Sequence, residues 1–182
     1  RIVAKHAILA TGAEERPLVF GGNDRPGIMM ASAASIYANR FGVAAGRSVA
    51  IFTNGSSGYR TAADLSAQGV PVEVLIDSRT EAADRAPDGV RVMRGGSIVD
   101  TKGSKRLRAV FADRGGFEEL IPCDALAMSG GWNPVIHLAC QRGGKPVWSQ
   151  ALQAFLAPDS GDGLVMAGAA AGHYRLSECF ED

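Results

Sequence analysis

The stretch RSVAIFTNGSSGYRTAADLSAQGVPVEVLIDSR, from Arg47 to Arg79, decides the fold. Val49-Ala50-Ile51-Phe52 is an unbroken apolar run, the mark of a short strand buried on both faces. Thr53-Asn54-Gly55-Ser56-Ser57-Gly58 follows as a turn of small residues. A helix-compatible run then extends to about Gln68, where Gly69 stops it. A second apolar strand, Val72 to Ile76, ends on Asp77. Strand, glycine turn, helix and strand make a βαβ unit, and the turn carries the chemistry of a dinucleotide seat.

Such a seat needs a tight turn, a bare backbone facing a diphosphate, and a helix N-terminus whose free N–H groups meet the anion. Gly55 meets the second need, because a Cβ there holds a phosphate away. Gly58 suits close packing of helix on strand, and Ala62 continues that small face one turn on. Thr53 stands where the first glycine of G-x-G-x-x-G is usual, a departure from the fingerprint. Asp77 follows Gly58 by 19 residues, close to the roughly 20 at which a carboxylate meets the ribose hydroxyls. An acid there favours NAD over NADP, whose 2′-phosphate meets a like charge, while Arg79 pulls the other way. The expected cofactor-binding residues are Thr53, Asn54, Gly55, Ser56, Ser57 and Gly58 at the diphosphate, and Asp77, Ser78 and Arg79 at the ribose. Ser129 and Gly130, at the end of a later strand, complete the set. A βαβ unit whose glycines serve only the turn, a scaffold without ligand, is the alternative.

Composition narrows the rest. The chain has 182 residues and a formal net charge of +0. Neither a basic face nor an acidic tail is evident, and no nucleic-acid partner is expected. Lys102, Lys105, Arg106 and Arg108 cluster on one turn and strand, but without interleaved aromatics. No apolar run reaches bilayer length, so no membrane partner is expected. Cys123, Cys140 and Cys179 lie far apart, which points to reduced thiols in a cytoplasmic setting and to neither a disulfide frame nor a zinc site. No metal ligand set and no catalytic constellation stands out.

Elsewhere the chain reads as follows. It opens at Arg1 inside a strand-like segment, Ile2-Val3-Ala4 and then His6 to Ala10, and it stops at Asp182 after a helix-compatible stretch, as if cut from something longer. Lys5 to Ala13 is a buried strand opening into a glycine turn. Gly21 to Gly27 is a loop. Ser32 to Phe41 reads as a helix with Ala33, Ile36, Tyr37 and Phe41 on its core face and Gly42 closing it. After the βαβ unit the period changes. Val90 to Arg94, Ser97 to Thr101, Leu107 to Ala112 and Glu118 to Pro122 alternate apolar and polar between glycine turns, as an antiparallel meander with one wet face. Asp124 to Met128 is again a buried strand, ending at Ser129-Gly130-Gly131-Trp132-Asn133-Pro134. Gly163 to Gly172 is an apolar strand running into small residues, with Ala167-Gly168-Ala169 and His173 at its end.

Crossover, meander and closing strand in this order resemble the NAD-binding insert of glutathione-reductase-like flavoproteins. The implied fold class is α/β: a Rossmann-like βαβ unit with an antiparallel β-meander, flanked by partial FAD-domain segments. The implied division is a partial FAD-type segment over residues 1–46, an NAD(P)-binding domain over 47–128 and a return segment over 129–182. In that superfamily the second FAD signature ends A-x-G-D, whereas here Ala167-Gly168-Ala169 carries no acid. Ala10-Thr11-Gly12-Ala13 with Glu15-Arg16-Pro17, the Asn23 to Met29 loop, the helix end at Tyr37 to Val43, and Ala167-Gly168-Ala169 together resemble the alpha subunits of heterotetrameric sarcosine oxidase. That resemblance implies a multi-subunit flavoenzyme that oxidises N-methylglycine with oxygen and passes a one-carbon unit to folate. It implies NAD+ in the alpha subunit, with FAD and FMN only in the parent complex, and other subunits as partners. Opine or octopine dehydrogenase subunits and NAD(P)H-dependent flavoprotein reductases are the alternatives, although the chain has no redox C-x-x-x-x-C.

Overall fold

The computed structural model describes residues 3–141, 143–158, 161 and 163–181. It divides into two compact units, Arg16–Gly131 and the paired segments Arg1–Glu15 and Trp132–Asp182. In chain order the elements begin with strands β1 (Ala7–Leu9), β2 (Ala13–Glu15) and β3 (Ile28–Met30) and helix α1 (Ala31–Phe41). The quoted stretch supplies β4 (Val49–Thr53), α2 (Ser57–Ala67) and β5 (Val72–Asp77). Then come β6 (Arg91–Arg94), β7 (Ser97–Gly103), β8 (Leu107–Arg114), β9 (Phe117–Pro122) and β10 (Ala125–Ser129).

The larger unit is a three-layer sandwich. Its centre is a parallel sheet of order β3-β10-β4-β5-β6. β4 and β10 are buried along their whole lengths, which is why both read as continuous apolar runs. The two-residue period sorts their side chains into two cores. Val49, Ile51, Leu75, Ala125 and Ala127 pack with α1 and α2. Ala50, Phe52, Val74, Ile76, Leu126 and Met128 pack with the antiparallel sheet β7-β8-β9 on the opposite face. Asp124 fastens the start of the central strands, its Oδ1 accepting from the amides of Arg47 at 2.8 Å and Ser48 at 2.9 Å. The Gly21 to Gly27 loop is tied to the meander: Arg25 donates to Thr101 Oγ1 at 3.2 Å and to the Gly103 carbonyl.

Four expectations change; Lys5 to Ala13, read as a buried strand, is a strand only over Ala7–Leu9, with Ala7 and Ile8 exposed. Val90 to Arg94 does not join the meander; Arg91–Arg94 is the last strand of the parallel sheet, paired with β5. An edge strand has one partner and half-wet sides, so it alternates like a hairpin strand. Ile28–Met30, within the stretch read as a loop and its exit, is the opposite edge strand. The fourth change concerns α1. Gly42 closes it in a left-handed conformation, φ 63°, its amide bonded to Ala38, but the buried face is Ala31, Ala34 and Ala38. Ile36 is 52% exposed and Phe41 60%, with Tyr37 also exposed. Close approach to α2, where Ser35 Oγ meets Thr61 Oγ1 at 3.2 Å, selects the small side chains over the large ones.

The smaller unit is built of short pairs. β1 lies parallel to β14 (Leu164–Met166), and β2 runs antiparallel to β11 (Trp132–Pro134). β12 (Val147–Ser149) and β13 (Ala154–Leu156) form a hairpin. α3 (His137–Cys140) and α4 (Leu176–Cys179) are single turns, and Gly168–Ala170 is one 3-10 turn. Of the Ile2-Val3-Ala4 run, Ile2 lies outside the described residues, as do Arg1 and Asp182, and Val3 and Ala4 carry no strand.

The cysteines are free. Burial, with Asp124 adding to it, pushes the Cys123 thiol up to about 12. At pH 8 a thiol reagent should therefore modify Cys140 and Cys179 in the folded protein and Cys123 only after denaturation. Leu126→Ala removes a fully buried side chain and should cost about 2–5 kcal/mol in a denaturant titration.

Candidate functional site

The site lies along the carboxyl edge of the parallel sheet, where β4, β5 and β10 end in register. Thr53 is opposite both Asp77 and Ser129. An open parallel sheet places its ligand sites at this edge. The sequence-expected residues Thr53 to Gly58, Asp77 to Arg79 and Ser129 to Gly130 are thus brought to one rim. Ser57 Oγ and Ser129 Oγ are 2.6 Å apart, and the Asn54 amide donates to the Ser129 carbonyl at 3.2 Å. Asn54, Ser56 and Ser78 are exposed.

The two glycines of the turn differ in what surrounds them. A Cβ at Gly55 meets nothing within 4 Å, so this backbone faces open space. A Cβ at Gly58 comes within 2.5 Å of Thr53 Cβ, so Gly58 sets the approach of α2 to β4. Thr53 fills the first-glycine position with a buried side chain: its Oγ1 accepts from the Gly55 amide at 3.1 Å and donates to the Gly55 carbonyl at 2.9 Å. No side chain caps the N-terminus of α2, which leaves the helix dipole and first-turn amides directed at whatever lies beyond.

Asp77 is at the expected strand tip but has no solvent exposure. Its Oδ1 accepts from the Arg79 amide at 3.0 Å and Arg79 Nε at 3.1 Å. Its Oδ2 accepts from Arg79 Nη2 at 2.9 Å and from the Tyr59 hydroxyl at 2.9 Å. The expected ribose acceptor is thus engaged inside the chain, in a bidentate pair that desolvation makes costly to break. Burial first, and then Asp77 beside it, holds the Tyr59 hydroxyl above its ordinary value. Arg79 also reaches Asp84 at 3.1 Å, and Asp84 accepts from Ser56 Oγ at 2.9 Å. Tyr59, Asp84 and Arg94 were not among the expected site residues. Tyr59 sits 18 positions before its partner, a separation with no signature in one sequence.

Gly130, expected at the cofactor, is engaged within the chain. Its amide donates to the Arg16 carbonyl at 2.7 Å, and the Arg16 amide donates to the Gly131 carbonyl at 2.8 Å. A Cβ at Gly130 lies 2.8 Å from that Arg16 oxygen. This glycine permits two backbones to cross. Among the described residues no group of His, Cys, Asp and Glu is placed to hold a metal.

Over 179 residues the chain is 55% identical to the sarcosine oxidase subunit alpha of Rhizobium meliloti (strain 1021), matching 98% of this chain and 18% of that protein. Along almost its whole length the chain is similar to one segment of the sarcosine oxidase alpha subunits. The subunit of the same name from Corynebacterium sp. (strain P-1) is 46% identical over 171 residues, 87% of this chain and again 18% of the relative. The chain therefore spans less than a fifth of the length of these relatives. No family model matches. L-proline dehydrogenase from P. horikoshii superposes with a TM-score of 0.69 at 26% identity, over 92% of this chain and 30% of that one. T. acidophilum thioredoxin reductase superposes with 0.73 at 16% identity, over 98% and 62%. The fold is that of two-dinucleotide-domain flavoprotein oxidoreductases, and the relatives are named as subunits. Among the described residues no helix is long and apolar enough to cross a membrane.

Tyr59→Phe removes a donor from a buried carboxylate and should lower the unfolding free energy by about 2 kcal/mol near neutral pH. The raised Tyr59 group contributes stability below pH 10.0 that is lost as pH climbs through the folded-state value. The variant should accordingly show a shallower alkaline fall than the wild type in melts run from pH 8 to 11.

Proposed function

We propose that this chain is the NAD+-binding segment of the alpha subunit of a multi-subunit flavin oxidoreductase, and that the full-length protein takes part in oxidative demethylation of N-methylglycine. The observation that carries the cofactor reading is Gly55, whose bare face opens beside the uncapped N-terminus of an eleven-residue helix. That combination accepts a diphosphate, because amide hydrogens and helix dipole act together on an anion. Ser56 and Ser57 add hydroxyls at the same rim. At the ribose end, Ser78 and Arg79 are the groups a sugar meets, and Asp77 holds Arg79 from within. NAD+ supplies a hydride-accepting nicotinamide when bound; the protein's part is to seat and orient it. FAD and FMN belong to the parent complex, other subunits are the partners, and free cysteines fit a cytoplasmic setting.

The scaffold reading has its own observation. Thr53 Oγ1 occupies the Gly55 amide and Asp77 is saturated internally, so a fold kept without its ligand is the second reading. Calorimetric titration of the full-length protein with NAD+ and NADP+ separates the two. Heat and saturation with NAD+ are expected, whereas a folded protein silent at millimolar NAD+ overturns the proposal. Gly55→Val provides the specific control. Because a Cβ there meets nothing, the variant should melt with the wild type while losing NAD+ by at least about tenfold, near 1.4 kcal/mol.

A further inference from the structure

We propose that Asp84 is the specificity-determining residue at the adenosine end of the site, holding Arg79 on Asp77 so that this guanidinium is not free for a 2′-phosphate. The inference rests on the dinucleotide reading above and deepens it. Arg79 follows the strand tip directly, where an arginine can serve a 2′-phosphate. In this fold that guanidinium is already shared. Nε and Nη2 fork the Asp77 carboxylate, and Nη2 also donates to Asp84 Oδ2 at 3.1 Å. The Tyr59 ring lies beneath it, 6.0 Å from Cζ to ring centre. Arg94, the other nearby cation, faces the Tyr59 hydroxyl and donates through Nη2 to the Asp84 carbonyl at 2.9 Å.

One guanidinium, that of Arg79, therefore faces two carboxylates, and Arg94 holds the main chain of the second. Asp84 is the member that joins this set to the diphosphate turn, because the same Oδ2 accepts from Ser56 Oγ at 2.9 Å. A 2′-phosphate brings roughly two negative charges to a rim where Arg79 is already paired with two carboxylates, one of them the partly exposed Asp84. NAD+, with a neutral hydroxyl at that position, meets no such repulsion. Asp77 alone does not account for this, since it is sealed from solvent, whereas the Asp84 side chain is 27% exposed.

Affinities of NAD+ and NADP+ measured by calorimetry on the full-length protein and its variants test the idea. Asp84→Asn keeps the shape, removes the charge and leaves Arg79 one carboxylate. NADP+ binding should tighten about tenfold while NAD+ changes by less than about threefold. Asp84→Glu, which restores the charge, should keep the wild-type preference, an outcome a purely structural role for the loop does not predict. Asp84→Ser gives the same shift as Asp84→Asn by a second route, so one poorly folding variant does not shelter the idea. An unchanged NADP+ to NAD+ ratio in both neutral variants overturns this inference and leaves the cofactor reading standing. Wild-type protein that takes neither nucleotide overturns both.

Discussion

A carboxylate shut away from water at the end of a central strand constrains everything around it. A carboxylate buried there calls for donors on both oxygens. Arg79 and Tyr59 supply them, one from the chain just beyond the strand and one from the first turn of the crossover helix. The result ties strand, helix and following loop into one piece. The placement of α2 follows from it, because Tyr59 can reach Asp77 only if the helix lies close, and Gly58 against Thr53 allows that closeness. Breaking such a pair from one side leaves an uncompensated charge, so the rim is held by the electrostatics of a few atoms.

The same feature reorganises the chemistry expected of the edge. In the simplest dinucleotide turn the strand-tip acid faces outward and the glycines leave the amides bare. Here the acid faces inward, and Thr53 spends its hydroxyl on the Gly55 amide. What stays open is the far side of Gly55 and the helix start beyond it. The outward polar groups beside Asp77 come from the next loop, through Arg79 and Asp84.

How far the sequence reveals this depends on the range of each interaction. The βαβ unit was legible because β4 is buried on both faces and its turn is made of small residues in consecutive positions. The meander was legible from alternation with glycine breaks. β6 was misassigned because an edge strand of a parallel sheet is as half-wet as a hairpin strand, and periodicity reports wetness, not partners. On α1 the large apolar residues Ile36, Tyr37 and Phe41 drew the expected core face, while packing against Thr61 and the sheet required alanine. At the site, residue types and positions along the rim were readable. Which way Asp77 points was not, since it is decided by Tyr59 and Arg79 acting across the fold.

The crossing at Arg16 and Gly130 carries a separate implication. The first and last residues of the larger unit are bonded to each other, Arg16 N to Gly131 O at 2.8 Å. A stretch of over a hundred residues thus leaves and rejoins its host through adjacent points. Such a cassette can be spliced into or out of a gene with little change in the distance its neighbours must span, which makes the unit a natural currency of recombination.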